Sequence, residues 1–189
     1  MSKLNVDEIR SADRSASDSA NITLTDAGFT VTNFIGFSAR VTSTSGGMAG
    51  SNWTELGSAS DFGSGKWTAD INIGTEFGVN TGRYTPTVAG VYLFTASYDH
   101  GRLDANQNVY TLIAKNKTGA NVAIDTAIAF ERQHLTSGLS NQGQGMSLSG
   151  IASMNGSSDY VSMFIYHTYS STTTANTGTK FSATFLGKT

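Results

Sequence analysis

The stretch that most constrains the fold is Arg83 to Tyr98, RYTPTVAGVYLFTASY, which begins as a turn and continues as the most apolar strand of the chain. It holds the only proline, Pro86. Proline fixes its own φ and drives Thr85 towards an extended conformation, so the turn feeds the strand in one direction. Gly90 then permits a kink or a close backbone approach before the apolar run. From Val91 onward the alternation sets Val91, Leu93, Thr95 and Ser97 on one face, and Tyr92, Phe94, Ala96 and Tyr98 on the other. Neither face is purely polar. Such a strand calls for two partners, a facing sheet and a neighbouring subunit.

At 189 residues the chain is one domain, or one domain with an arm. A domain of this size buries roughly 70% of its unfolded surface, enough for a true core. Only 14% of residues are charged and 21 are glycine, which suits a turn-rich β protein with a neutral polar exterior. The net charge of -2, with no Lys/Arg cluster, argues against nucleic-acid binding. Cysteine is absent, which excludes disulfides, thiolate metal sites and a cysteine nucleophile. The N-terminus lacks the apolar core of a signal peptide, and no run of about 18 apolar residues occurs, so neither secretion nor membrane insertion is expected.

Residues 1–33 hold three basic and five acidic residues, and the central RSADRSASDSA has no apolar periodicity and reads as a linker. Short alternating segments flank it, with Leu4, Val6 and Ile9 on one side and Ile22 and Leu24 on the other. A lone strand of that length is not stable. Residues 1–33 are therefore expected to be an extended attachment arm that gains order by docking, on its own trimer mates or on another protein. A disordered tail is the plainer alternative.

Residues 34–189 form the expected domain. Strands are expected over 34–42, 71–74, 91–98, 109–115, 146–154, 160–169 and 180–186, while 122–130 is open between a strand and one helical turn. The Gly/Ser-rich 43–65 reads as surface loops carrying Trp53 and Trp67 at their edges, and 131–145 as a long polar loop. Trp53, Trp67 and Tyr169 are candidates for stacking on a sugar; the tryptophans could equally plug one end of a barrel. Antiparallel strands separated by turns, roughly ten in all, imply an all-β sandwich or jelly roll.

No catalytic constellation is evident. His100, His134 and His167 fall in different elements and in no HExxH-type spacing, so each reads as structural or solvated. No GxSxG elbow occurs. Asp99 with Asp104, and Glu55 with Asp61, read as solvated turn carboxylates rather than a glycosidase pair, and no metal or cofactor is expected.

The succession VNTGRYTPTVAGVYLFTASY, YTLIAKN, MSLSGIASMNGSSDYVSMFIYHTY and TKFSATFLGK resembles the complement C1q-type head, a relative of tumour necrosis factor-like jelly rolls. Gly82, Tyr84, Pro86, Gly90, Tyr92 and Phe94 match its turn-Gly-aromatic-Pro-Gly-aromatic phrase, and Phe181 to Leu186 its closing strand. The second glycine of that closing motif is Ala183 here, and residues 1–33 carry no collagen-type Gly-X-Y repeat. The resemblance implies a C1q/TNF-like jelly-roll β-sandwich of about ten antiparallel strands, assembled as a homotrimer, with Tyr84, Tyr92, Phe94, Phe181 and Phe185 at the trimer interface or core. The opening SKLNVDEIRS, its linker and NITLTDAGFTV resemble the start of bacteriophage structural and tail-fibre proteins. Together these imply a non-enzymatic virion protein: a trimeric fibre or spike head joined to other virion proteins through its arm and exposing loops to a host-surface glycan or protein. The alternative is a capsid or tail decoration protein.

Overall fold

A computed structural model describes residues 8–9, 22–25, 28–31, 35–44, 47–57, 62, 65–101, 103–118, 122–136 and 145–188. Leu4 and Val6, expected to serve attachment, lie outside these residues. Backbone contacts divide the chain into two units, Met1–Ile35 and Gly36–Thr189.

In the first unit, β1 (Glu8–Ile9), β2 (Ile22–Thr25) and β3 (Gly28–Val31) pair antiparallel in the order β1-β2-β3. Ile9 stands opposite Ile22, and Leu24 opposite Phe29. From sequence, Ile9, Ile22 and Leu24 are expected to gain order by docking on trimer mates or on another protein. They find ladder partners within their own unit, which meets the backbone hydrogen-bond requirement locally.

The second unit contains β4 (Gly36–Val41), β5 (Met48–Ala49), β6 (Thr54–Glu55), β7 (Trp67–Asn72), β8 (Phe77–Gly78), β9 (Arg83–Tyr84), β10 (Ala89–Asp99), β11 (Gln107–Lys115), β12 (Ala127–Leu135), β13 (Gly145–Asn155), β14 (Val161–His167), β15 (Thr172–Thr173) and β16 (Lys180–Gly187). One antiparallel sheet runs β13-β10-β16-β4-β7, and a second β12-β11-β14-β9-β8, with β6 also on β14. β5 and β15 form a separate pair. The expected loop at 131–145 is corrected at its start, because β12 continues to Leu135. β12 ends the sheet order and hydrogen-bonds to β11 alone, so it tolerates Glu131, Arg132 and His134 facing solvent, and its sequence loses the apolar alternation of a covered strand. Residues 122–130 contain both expected alternatives in turn, a single 3-10 turn at Ile124–Thr126 and then β12.

The core lies between the two large sheets and is aromatic. On β10, Tyr92, Phe94, Ala96 and Tyr98 point inward and are buried. Phe37 stacks on Phe77 at 4.4 Å and on Tyr84 at 4.6 Å, and meets Phe181 edge-on at 5.0 Å. Phe94 lies 6.3 Å from Tyr84 and 6.4 Å from Phe181, while Phe185, half-buried, meets Tyr92 at 5.1 Å. Tyr84, Tyr92, Phe94 and Phe181 are each 0% exposed within a single chain. Their expected place around a trimer axis is therefore corrected. A side chain with no accessible surface in its own protomer has none to offer another.

The turn at Pro86 is held by a carboxylate that sequence reading did not single out. Buried Glu76 accepts a hydrogen bond from Tyr84 Oη at 2.8 Å and from the Thr87 amide at 2.7 Å, and its own carbonyl accepts from Thr85 N at 2.9 Å. Burial raises the Tyr84 hydroxyl far above its usual range, with the Glu76 hydrogen bond adding to it, and pushes Tyr92 up to about 12. Both phenols are neutral donors at any working pH. Tyr92 Oη donates to Val88 O at 2.8 Å, fixing the far end of the same turn.

Candidate functional site

The aromatic candidates separate on folding. Trp67 opens β7 and is buried, its indole Nε1 donating to Leu56 O at 3.2 Å and its ring against Phe62 and Phe77. Its role as a sugar-stacking residue is corrected to core packing, because neither ring face meets solvent. Tyr169 is half-buried, 6.5 Å from the ring of His167.

Trp53 stands elsewhere, and the route of the chain explains why. β5 pairs with β15 on one side of it and β6 pairs with β14 on the other, while Ser51 N donates to His167 O at 2.7 Å. A residue in a Gly/Ser-rich loop is thus pinned at both ends and laid over the outer face of the second sheet. On that face Tyr110 of β11 stands opposite Tyr166 of β14 and Arg132 of β12. The three half-buried rings meet at angles: Trp53 to Tyr166 at 5.4 Å and 48°, Tyr110 to Tyr166 at 5.4 Å and 80°, Trp53 to Tyr110 at 6.4 Å and 68°. With Ile124 they line a cleft of about 230 Å³. Next along the same face, Leu112, Ala114 and Phe164, with Val122, form a small buried cluster on which Trp53 also packs.

One edge of this shelf is polar. Asn108 Oδ1 accepts from Arg132 Nε at 3.2 Å, Arg132 Nη2 at 3.0 Å and His134 Nδ1 at 3.1 Å. The Arg132 guanidinium lies 5.5 Å from the Tyr110 ring centre, a cation over a π face. Among the described residues no carboxylate pairs with Arg132. The sequence signal for this edge was faint, because Asn108, Arg132 and His134 come together only through the pairing of β11 with β12.

A second exposed surface lies on the outward face of the first sheet. There Leu93 stands opposite Ile151 and Thr184, and Val91 opposite Ser153. Ile151 is 61% exposed and Leu186, at the bulge opposite Val91 and Tyr92, is 54% exposed. Further along, Thr95, Ser97, Ser147, Ser149 and Ser182 line a hydroxyl-rich groove of about 460 Å³. The face is apolar at one end and hydroxylated at the other.

Two partly buried ion pairs are tied into the scaffold. Glu55, nearly inaccessible, accepts a two-pronged pair from Arg83, Nε to Oε1 at 2.6 Å and Nη2 to Oε2 at 2.9 Å, and Arg83 lies 4.5 Å over the Tyr160 ring. The Glu55 hydrogen bond raises the Arg83 pKa further. Asp159 accepts from Lys115 Nζ at 2.7 Å, Asn116 Nδ2 at 2.8 Å and Asn155 N at 2.8 Å, and the Lys115 and Asn116 bonds hold its carboxyl below the usual range. Both carboxylates are saturated by scaffold donors, which suits anchoring rather than proton transfer. His167 is buried with Nε2 donating to Met48 O at 3.0 Å, and burial lowers its pKa, so its imidazole is neutral at pH 7. His100 is buried too, while His134 is exposed.

No protein-family model matches the chain, and no curated protein matches it significantly. Solved structures do. Eiger TNF from S. frugiperda aligns with a TM-score of 0.50 and 12% identity over 82% of this chain and 94% of that one. Murine APRIL at pH 8.0 aligns with a TM-score of 0.50 and 12% identity over 82% of this chain and 100% of that one. The fold is a TNF-like jelly roll. At such identity the likeness concerns architecture alone, and a jelly roll hosts many functions.

Proposed function

We propose that the protein is a non-enzymatic structural protein of a bacteriophage virion, a trimeric jelly-roll head joined to the particle through its first unit and presenting the β11/β12/β14 face to a host surface. The observation that carries this reading is that both sheets expose apolar residues on their outward faces, each of a different kind. The aliphatic and hydroxyl face of β10, β13 and β16 suits association with further copies of the chain. The Trp53 shelf, on the other sheet, then stays outward, and threefold repetition multiplies weak contacts. The resemblance of residues 1–33 to phage fibre openings supports the attachment role of the first unit and a virion location.

The test is binding of labelled purified protein to candidate host cells in competition with whole particles, together with co-sedimentation of a chain lacking residues 1–33 with particles. Saturable binding that blocks adsorption, and loss of particle association on truncation, are expected. Absence of cell binding by an assembled head favours the decoration role; normal incorporation of the truncated chain overturns the attachment role of the first unit.

A further inference from the structure

We infer that the Trp53–Tyr110–Tyr166 cleft is a binding site for a carboxylated pyranose, a uronate- or sialate-type sugar, with Arg132 taking the carboxylate. The inference deepens the host-attachment reading and rests on it for the source of the sugar, but its geometry stands by itself. The three rings meet at 48° to 80° rather than lying flat on one another, so they form the walls of an angular cleft instead of a closed stack. A ring face carries negative quadrupolar potential, and the C–H groups on one side of a pyranose carry small positive charges, so ring and sugar attract while excluding water. The cleft, about 230 Å³, is of a size for one sugar ring.

The polar edge supplies what an aromatic floor lacks, namely direction and charge. With Asn108 Oδ1 occupied by three donors, Asn108 keeps its Nδ2 as a donor without a partner among the described residues. Arg132 uses Nε and Nη2 on that oxygen, leaving Nη1 and its full positive charge beside the Tyr110 wall. The cleft itself is lined by Trp53, Tyr110, Ile124 and Tyr166, so a neutral sugar would have the aromatic walls alone, whereas a carboxylate reaching past Tyr110 would meet Arg132, which has no carboxylate paired to it among the described residues. The site is preformed. Tyr110, Arg132 and Tyr166 stand on three paired strands, and the segment carrying Trp53 is pinned at both ends, so little ordering opposes binding.

The experiment uses the full-length protein with the methyl glycosides of glucuronate, galacturonate and N-acetylneuraminate, and methyl glucoside and galactoside as neutral counterparts. Binding is read by saturation-transfer NMR and by tryptophan emission, in which Trp53 is the half-buried reporter and Trp67 the buried one. At least one acidic sugar is expected to bind about tenfold or more tightly than its neutral counterpart, the size of one charge-assisted contact. Arg132→Gln should bring the acidic sugar to the neutral level, and Tyr166→Ala should abolish both. Trp53→Phe should weaken both while keeping an aromatic ring against the buried Leu112–Phe164 cluster, so its unfolding midpoint guards against a folding artefact. Failure of all three acidic sugars to bind, or binding indifferent to Arg132→Gln and Tyr166→Ala, overturns the inference. Cell adsorption separates it from the wider reading: a wild-type head that adsorbs equally with Arg132→Gln and Tyr166→Ala sinks this site and leaves attachment standing, whereas sugar binding without adsorption supports the site and sinks attachment.

Discussion

Gly82 shows how much one residue of the Pro86 turn carries. Its φ is +65°, and a Cβ there would lie 1.9 Å from Leu56 O, a backbone atom that cannot swing aside. Gly82→Ala should therefore cost about 2–4 kcal/mol, backbone strain plus displacement of the 56–57 segment, read as a fall in urea midpoint. Gly90 is constrained by close approach as well, since a Cβ would meet the Phe185 ring at 2.4 Å. That is the physical content of the two glycines in the family-like phrase. His167 makes a different prediction. Its pKa is lowered in the folded chain, while in the unfolded chain it titrates at about 6.5. The unfolded state thus takes up the proton first as pH falls. The contribution is intact above about pH 6.5 and is lost progressively below it, until the folded chain is protonated too. His167→Gln, which can still donate to Met48 O, should flatten the dependence of the denaturation midpoint between pH 7.5 and 5.5; an unchanged slope would assign that dependence to other groups.

At the scale of elements, β10 is the strand on which the rest is assembled, and its two faces have different roles. The aromatic face closes the sandwich. Phe94→Ala should lower protomer stability by about 3–5 kcal/mol, the range for emptying a packed phenylalanine site, and the loss should be the same at high and low protein concentration. A loss that grows on dilution would place Phe94 at a subunit contact after all. Much of β10 was legible in sequence, because strict alternation over Val91 to Tyr98 is a local signal. β12 was half lost, because an edge strand with one ladder partner has no need of apolar residues on both faces. β5, β6 and β15 were invisible, each being two residues long and defined by what it pairs with rather than by its own pattern.

At the scale of the whole molecule, the outward face of the first sheet bears on association. The outward face of β10 and β13 exposes Ile151 opposite Leu93, and the groove beside it is lined mostly by serine and threonine hydroxyls, with Lys180 as its one charged residue, a largely uncharged surface that a second copy can cover. Sedimentation velocity should give a trimer, and Ile151→Glu should dissociate it while leaving the β-sheet signal of the protomer intact, since Ile151 is not part of the buried core. A wild-type monomer, or a variant that stays assembled, would remove this face as the interface.

The sequence alone determined an all-β head, its antiparallel strands and a central strand with two usable faces, because periodicity, turn chemistry and the placement of Gly and Pro act over a few residues. Only the tertiary structure decided which face turned inward. It buried Tyr92 and Phe94 inside one chain, sent Trp67 into the core and Trp53 to the surface, and set Asn108, Arg132 and His134 side by side. Those outcomes depend on strand register and on pairing between residues distant in sequence, such as Thr54 with Ile165, and no local pattern encodes a partner so far along the chain.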